Sequence, residues 1–338
     1  MKFIRDFFSS ILGFLLVLTL STYVVILSFT NVFLKPAVFL KILDSHQTYE
    51  KITTEILPQT ILSNFLKTQD NGQINQETID KVASLVDKEK LKPLSVQFKK
   101  VVEDGYYYAI GQNANFEEKI DLTNNLTQLK ESFSSGLKTA EAQGLITAPQ
   151  SNEILQNLPT NKNLTLIVTP DKIALVSGAG KLEEPTPTPN QKFSLKTLRA
   201  SVANTKQAEN LTLISTIILA LLLFASRIPD WAASFKWLGG SLFAAGIFPL
   251  VLSFVLLWLH PLKILEQFIL NQKLSVSPVM LSLATANLGD LLNKFLENLR
   301  LYSLVLVIAA VVCYLATWGL HKLNKPKTTT VDTGPLKT

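Results

Sequence analysis

Apolar and polar positions divide the chain into four long apolar runs and one long amphipathic stretch between the first two. The runs are Phe7–Phe29, about Glu209–Ser226, Leu238–Leu259 and Leu301–Leu320, and none carries an Asp, Glu, Lys, Arg or His side chain in its interior. A bilayer core about 30 Å thick needs roughly 20 apolar residues at about 1.5 Å each, so each run predicts a membrane-spanning helix. The first exceeds a signal-peptide core of about 7–15 residues and lacks a small-x-small cleavage site, which predicts an uncleaved signal anchor.

In the amphipathic stretch the spacing is mostly helical. Apolar positions recur from Phe39 to Ile52 and on through Ile56, Ile61 and Leu62 to Phe65, with Pro58 as a kink or boundary. Thr68–Gln76, with Asn71-Gly72, predicts a loop. Helical spacing resumes at Ile79, Val82, Leu85 and Val86. Asp87 is placed to cap a following helix that carries Leu94, Phe98, Val101 and Val102. A short extended piece at Lys119–Leu122 leads to Thr123, a cap for a helix through Leu126, Leu129, Phe133 and Leu137, and a short helix lies around Ser151–Leu158. Leu164–Val168 and Ile173–Val176 around Thr169-Pro-Asp-Lys predict a β-hairpin. Glu183-Glu-Pro-Thr-Pro-Thr-Pro-Asn reads as a stiff tether, and Phe193–Gln207 as a helical stalk into the second span.

The predicted fold class is a mainly α integral membrane protein. It has four transmembrane helices and a mostly helical extracytoplasmic domain containing a small β-hairpin. The expected organisation is a cytoplasmic amino-terminus with its signal-anchor span (1–30), the extracytoplasmic domain (31–182), tether and stalk (183–208), a three-span region (209–320) with a second outer segment at 260–300, and a basic cytoplasmic tail (321–338). In that outer segment Leu291, Leu292, Phe295, Leu296 and Leu299 form an apolar stripe, suited to docking under the outer domain or to lying on the membrane.

Composition supports the membrane class, with 47% hydrophobic and only 17% charged residues. The net charge of +6 does not point to nucleic acid, because residues 31–205 balance 19 basic against 19 acidic side chains. The excess flanks the spans. Lys2, Arg5, Arg227, Lys236 and four lysines after the fourth span put eight basic residues on one side, against four in the opposite short loop at 260–300. That asymmetry predicts both ends in the cytoplasm. Trp231, Trp237, Trp258 and Trp318 fall near span ends, as an interfacial belt would.

Little in the sequence carries chemistry. Cys313 is the single cysteine, and His46, His260 and His321 are scattered without metal-ligand spacing, so neither a metal nor a cofactor is expected. The paired carboxylates at 103–104, 117–118 and 183–184 are sequence neighbours in polar segments, which does not make an acid–base pair. Gly178-Ala-Gly does not lead into a helix, so it is a poor phosphate cradle. No catalytic residue is expected. Tyr106, Tyr107 and Tyr108 cannot all face a core, which makes them, with His46, the candidate ligand-binding residues. In the third span Gly240, Ala244 and Gly246 belong to a small-residue pattern suited to close helix packing. A sharper reading makes Gly246 and Pro249 a transporter hinge.

The order of these features resembles a family of uncharacterised bacterial integral membrane proteins with one amino-terminal span, an extracytoplasmic helical domain and three carboxy-terminal spans. The resemblance rests on Phe39–Ile52 with Leu43 and Tyr49, Ile79–Leu91 leading to Tyr108 and Gly111, Ile120-Asp-Leu, the hairpin near 164–176, and Lys236-Trp-Leu-Gly-Gly-Ser-Leu-Phe-Ala-Ala-Gly-Ile. It covers most of the chain and implies a bacterial cell membrane, but no activity or site residue.

The function expected is that of a non-enzymatic cell-envelope protein. Its outer domain would bind a ligand, a wall component or a protein partner, with the lipid bilayer as the other partner and no nucleic acid. The rival is a component of a transporter or channel formed by the carboxy-terminal spans.

Overall fold

The computed structural model describes residues 2–69, 76–157, 164–170, 173–177, 182–183, 194–228, 230–264, 267 and 278–323. Most of the expected 68–76 loop, the Gly178–Gly180 segment, the Pro-rich tether beyond Glu183 and the basic tail after Leu323 lie outside them. The chain folds into two compact units. Unit 1 comprises Met1–Phe29, Gln207–Leu259 and Phe295–Thr338, and unit 2 comprises Thr30–Lys206 and His260–Lys294.

Four helices are long and apolar enough to cross a membrane: α1 (Lys2–Phe33), α9 (Leu195–Ala225), α10 (Trp231–Leu259) and α11 (Pro278–Leu323). The last, at 46 residues, is about 69 Å long at about 1.5 Å per residue, over twice a bilayer core. The apolar windows are only 11–28% buried inside the molecule. Phe14, Leu221, Phe248 and Leu315 are all more than 60% exposed, a surface costly in water and natural in lipid.

In unit 1 helix direction alternates. Gly13 meets Ser241, and the Ser21 hydroxyl donates to the Ala245 carbonyl, so α1 and α10 run the same way. Gly239 meets Ala310 and Cys313 while Gly246 meets Ser303 and Val307, so α10 and α11 run oppositely. A short turn joins α9 to α10, with Phe224 edge-on to Trp231 and Phe235 at 5.5 and 5.2 Å. A Cβ on Gly246 would sit 2.8 Å from the Ser303 carbonyl oxygen and 3.0 Å from Val307 Cγ2. Only glycine permits that approach.

Unit 2 is mainly helical. α2 (Pro36–Ser45) ends at a tight corner where Gln47 takes the left-handed conformation (φ 52°), and α3 (Thr48–Lys51) then opens into a π turn at Ile52–Ile56. Thr53 and Thr54 return their hydroxyls to carbonyls of Tyr49 and Glu50. Pro58, which has no N–H for the carbonyl four residues back, follows this widened turn at the start of α4 (Leu57–Gln69). α5 (Gln76–Ser84) leads to Asp87, whose carboxylate accepts from the Glu89 amide ahead of a 3-10 turn at Glu89–Leu91 and α6 (Lys92–Ala109).

α7 (Leu122–Ala142) begins one residue before Thr123, which therefore lies inside its first turn and does not precede it as a cap. With α8 (Ala148–Asn157) it completes a core of Leu62, Ile79, Val82, Leu129, Phe133 and Ile154, each at most 6% exposed. Gly136 is required where α7 crosses the end of α5, because a Cβ there would lie 2.7 Å from the Leu85 carbonyl oxygen.

The β element is larger than the expected hairpin. β2 (Leu164–Val168) and β3 (Ile173–Ser177) pair as a hairpin, but β1 (Glu118–Asp121) adds antiparallel to β2, with Glu118 opposite Val168. β4 (Leu182–Glu183) adds to β3, so Glu183 belongs to the sheet. Asn287 near the start of α11 exchanges hydrogen bonds with buried Thr48, at 3.0 and 3.2 Å. The first turns of α11 therefore pack on the 30–206 domain, where Leu291 of the apolar stripe is buried; Leu296 and Leu299, also buried, belong to unit 1.

Candidate functional site

Unit 2 holds a cavity of about 240 Å³ where the π turn, α4 and α5 face the start of α11. Thr54, Glu55 and Gln59 line one side and Asp80, Ser84 and Lys88 the other, with Ala83 and Val279 as apolar wall. The local fold explains the placement. The π turn carries Thr54 and Glu55 and sets the start of α4, from which Gln59 enters the site, while Asp80 and Ser84 stand one turn apart on α5.

The lining is rich in acceptors. The Thr54 hydroxyl donates to the Glu50 carbonyl at 2.9 Å and the Ser84 hydroxyl to the Lys81 carbonyl at 2.6 Å, so both turn lone pairs outward. Lys88 Nζ is tied to Glu55 at 2.9 Å, with both side chains partly exposed. Gln59 is only 8% exposed, yet its Oε1 has no hydrogen-bond partner. A buried amide oxygen without a donor costs about 1–3 kcal/mol, which a ligand or water bearing an N–H or O–H can recover.

The ligand-binding residues expected from the sequence lie elsewhere, and none lines this cavity. Tyr106 stacks on Phe39, with centroids 4.7 Å apart and planes 4° from parallel, and donates to the Phe33 carbonyl at 2.9 Å. Burial, reinforced by neighbouring Tyr107, pushes its phenol pKa above the usual range. Tyr108 is 8% exposed against Phe116, with the Arg199 guanidinium 4.6 Å above its ring. Tyr107, half-buried, stands edge-on to Tyr106. His46 Nε2 lies 2.9 Å from Asp290 Oδ2, joining α2 to α11. The structure thus gives Tyr106, Tyr108 and His46 packing partners and does not gather the four around one space.

Among the expected packing residues, Gly246 sits at the closest helix contact. Ala244 is exposed, and a Cβ on Gly240 would meet only the Tyr314 hydroxyl, at 3.5 Å. The close approach runs through Gly239 and Gly246, two turns apart, because that pair faces α11.

Sequence reasoning missed two features. Gln59 belongs to no motif, so only its burial reveals it. Arg227, read as a residue ending the second span, is 3% exposed; it donates to Asp6, lies 4.8 Å over the Trp237 ring, and keeps Nε and one terminal nitrogen buried without partners. The signal available was Asp6 itself, the sole acid between Lys2, Arg5 and the first apolar run. Among the described residues no group of three or more His, Cys, Asp or Glu is arranged to hold a metal ion.

These features define a mainly helical protein with four candidate membrane spans among the described residues and a polar cavity in its second unit. No protein-family model, curated protein or solved structure matches the chain.

Proposed function

We propose that the chain is a cell-envelope membrane protein, anchored by four spans, whose unit 2 binds a small ligand bearing hydrogen-bond donors in the Gln59 cavity. The observation that carries this reading is the unpartnered, buried Gln59 Oε1 in a lining that also includes the Glu55 and Asp80 carboxylates. Such a lining suits an ammonium or amide group over an anion. The reading needs no enzymatic step, and it belongs with the bacterial membrane family whose pattern the sequence resembles. A wall component or protein partner bearing such groups would use the same site.

The test uses the full chain in detergent with glycinamide, which carries ammonium and amide donors, and acetate as the opposite-charge control. At 100 times its Kd a ligand adds about 2.7 kcal/mol of stability, so glycinamide is expected to raise the unfolding temperature by several degrees and acetate not at all. Gln59→Leu should remove the response. Equal responses in Gln59→Leu and the wild type would rule the site out.

The transporter reading drew on Gly246 and Pro249. Both are accounted for by packing: α10 runs unbroken through them, Gly246 admits α11, and the Ser21 hydroxyl donates at 3.2 Å to Ala245, the carbonyl that Pro249 leaves without an N–H. That weighs against a hinge.

A further inference from the structure

Unit 1 carries a groove of about 390 Å³ between α1, α10 and α11. Its floor exists because two positions lack side chains, Gly13 on α1 and Gly240 on α10. Beside Ser10, whose hydroxyl donates to the Asp6 carbonyl, and Trp237, its polar lining groups are the Lys236 amine, the Ser241 hydroxyl and the Tyr314 hydroxyl. Ser241 is 6% exposed, and among the described residues none of the three makes a hydrogen bond or ion pair. All three can donate. With Ser241 buried and Lys236 and Tyr314 exposed, three donors without protein acceptors in one groove suit an anion with several oxygens.

The groove is also polarised along its length. α1 and α10 run the same way, so Ser10 and Lys236 stand nearest the ends of their spans, while Phe14, Val17 and Ser241 lie deeper. Phe14 is 63% exposed, on the outward apolar surface of α1. Trp237 forms part of the wall, with the Arg227 guanidinium, itself paired with Asp6, 4.8 Å over its ring. An anionic head at the Lys236 end with an apolar tail running inward past Phe14 follows this order.

We propose that this groove is a binding site for an anionic phospholipid. The phosphate accepts from Lys236, Ser241 and Tyr314, and one acyl chain leaves along Phe14 and Val17 into the bilayer. Lys236 snorkels to the head while its methylenes cover the groove wall. A free phosphate would satisfy the donors but leave the apolar half empty, which is why the lipid is the occupant.

The test is native mass spectrometry of the full chain in detergent, titrated with phosphatidylglycerol or phosphatidylcholine. Wild type is expected to retain phosphatidylglycerol about tenfold more tightly than phosphatidylcholine. Tyr314→Phe, which deletes one hydroxyl, and Lys236→Gln should each weaken phosphatidylglycerol about fivefold, and Lys236→Gln, which removes the positive charge, should also narrow its preference over phosphatidylcholine. Gly240→Leu should fill the groove and abolish both preferences; if that variant does not fold, the two milder ones decide. Equal retention of the two lipids by wild type, or unchanged phosphatidylglycerol retention in both mild variants, overturns the site. Displacement of the lipid by water-soluble glycerol phosphate at matched concentration overturns it too, since the donors alone would then account for binding.

Discussion

Asp104 shows how a single carboxyl makes stability depend on pH. It leans from α6 toward β1, where its carboxyl meets that of Glu118, with Lys100 serving both at 4.0 and 3.0 Å. Burial, then the hydrogen bond and charge of Glu118, raise its pKa above the usual carboxylate range, against the opposing pull of Lys100. The native state therefore holds this proton more tightly than the unfolded chain. Its stabilising contribution is fully present below the unfolded pKa and is lost as pH rises through the folded one. Asp104→Asn, which keeps the geometry without the charge, should raise stability at neutral pH by a fraction of a kcal/mol, given the partial exposure of the pair. The gain should vanish in acid, and chemical denaturation at about pH 4 and pH 7 checks it. A gain equal at both values would assign the effect to something other than ionisation. Gln59 teaches the complementary lesson, because a lone amide in a helical stretch carries no sequence signal and acquires meaning only when folding leaves its oxygen without a donor.

Helices carry the part of the fold that sequence makes readable. Ile79, Val82 and Val86, and Leu129, Phe133 and Leu137, follow the 3.6-residue period and all reach the core, because helical spacing alone sets which face is apolar. Features decided between elements are not readable in this way. The third span offers small residues at 239–241 and 244–246, and every register of close packing is open until α11 selects Gly239 and Gly246. β1 likewise finds β2 across almost fifty residues, so its strand partner leaves no local mark. The pairing of Ser21 with Pro249 is a third case, and it is testable. Proline at 249 leaves the Ala245 carbonyl without its helical donor, and Ser21 of α1 supplies one. Ser21→Ala should cost about 1 kcal/mol in the wild-type background, as interhelical hydrogen bonds in membranes do, and much less beside Pro249→Ala, where the restored N–H serves the carbonyl. A double-mutant cycle on the full chain, unfolded in mixed micelles, measures the difference. Additive losses would show that the hydroxyl and the proline act independently.

At the scale of the whole molecule, alternating helix direction in unit 1 fixes which span ends share a side. Asp6, Arg227 and the Lys236 turn gather at one end, because Arg227 donates to Asp6, the Ser9 and Ser226 hydroxyls lie 3.1 Å apart, and the Thr317 hydroxyl reaches the Ala232 carbonyl at 3.4 Å. That end carries Arg5, Arg227, Lys236 and Lys322 against Asp6 and Asp230 among the described residues, and Lys322 covers the Trp318 ring at 4.6 Å. Lysine and arginine in short flanks are retained in the cytoplasm during insertion, so this end is expected inside. The 31–182 domain, which follows the first span, is then expected outside. Cys313 is the sole cysteine, so a Cys313→Ala background leaves no other thiol, and single cysteines can report each side. Gln112→Cys and Lys322→Cys are both at exposed positions. A membrane-impermeant maleimide applied to intact cells should label the first at once and the second only after permeabilisation. The reverse pattern would invert the topology, exchanging the compartments that the Gln59 cavity and the lipid groove face. Labelling of both in intact cells would mean that the last three apolar helices do not all cross, since an odd number of crossings between the two positions puts them on opposite sides and an even number on one side; the helix left out would expose apolar surface to water at a cost of about 25 cal/mol for each Å².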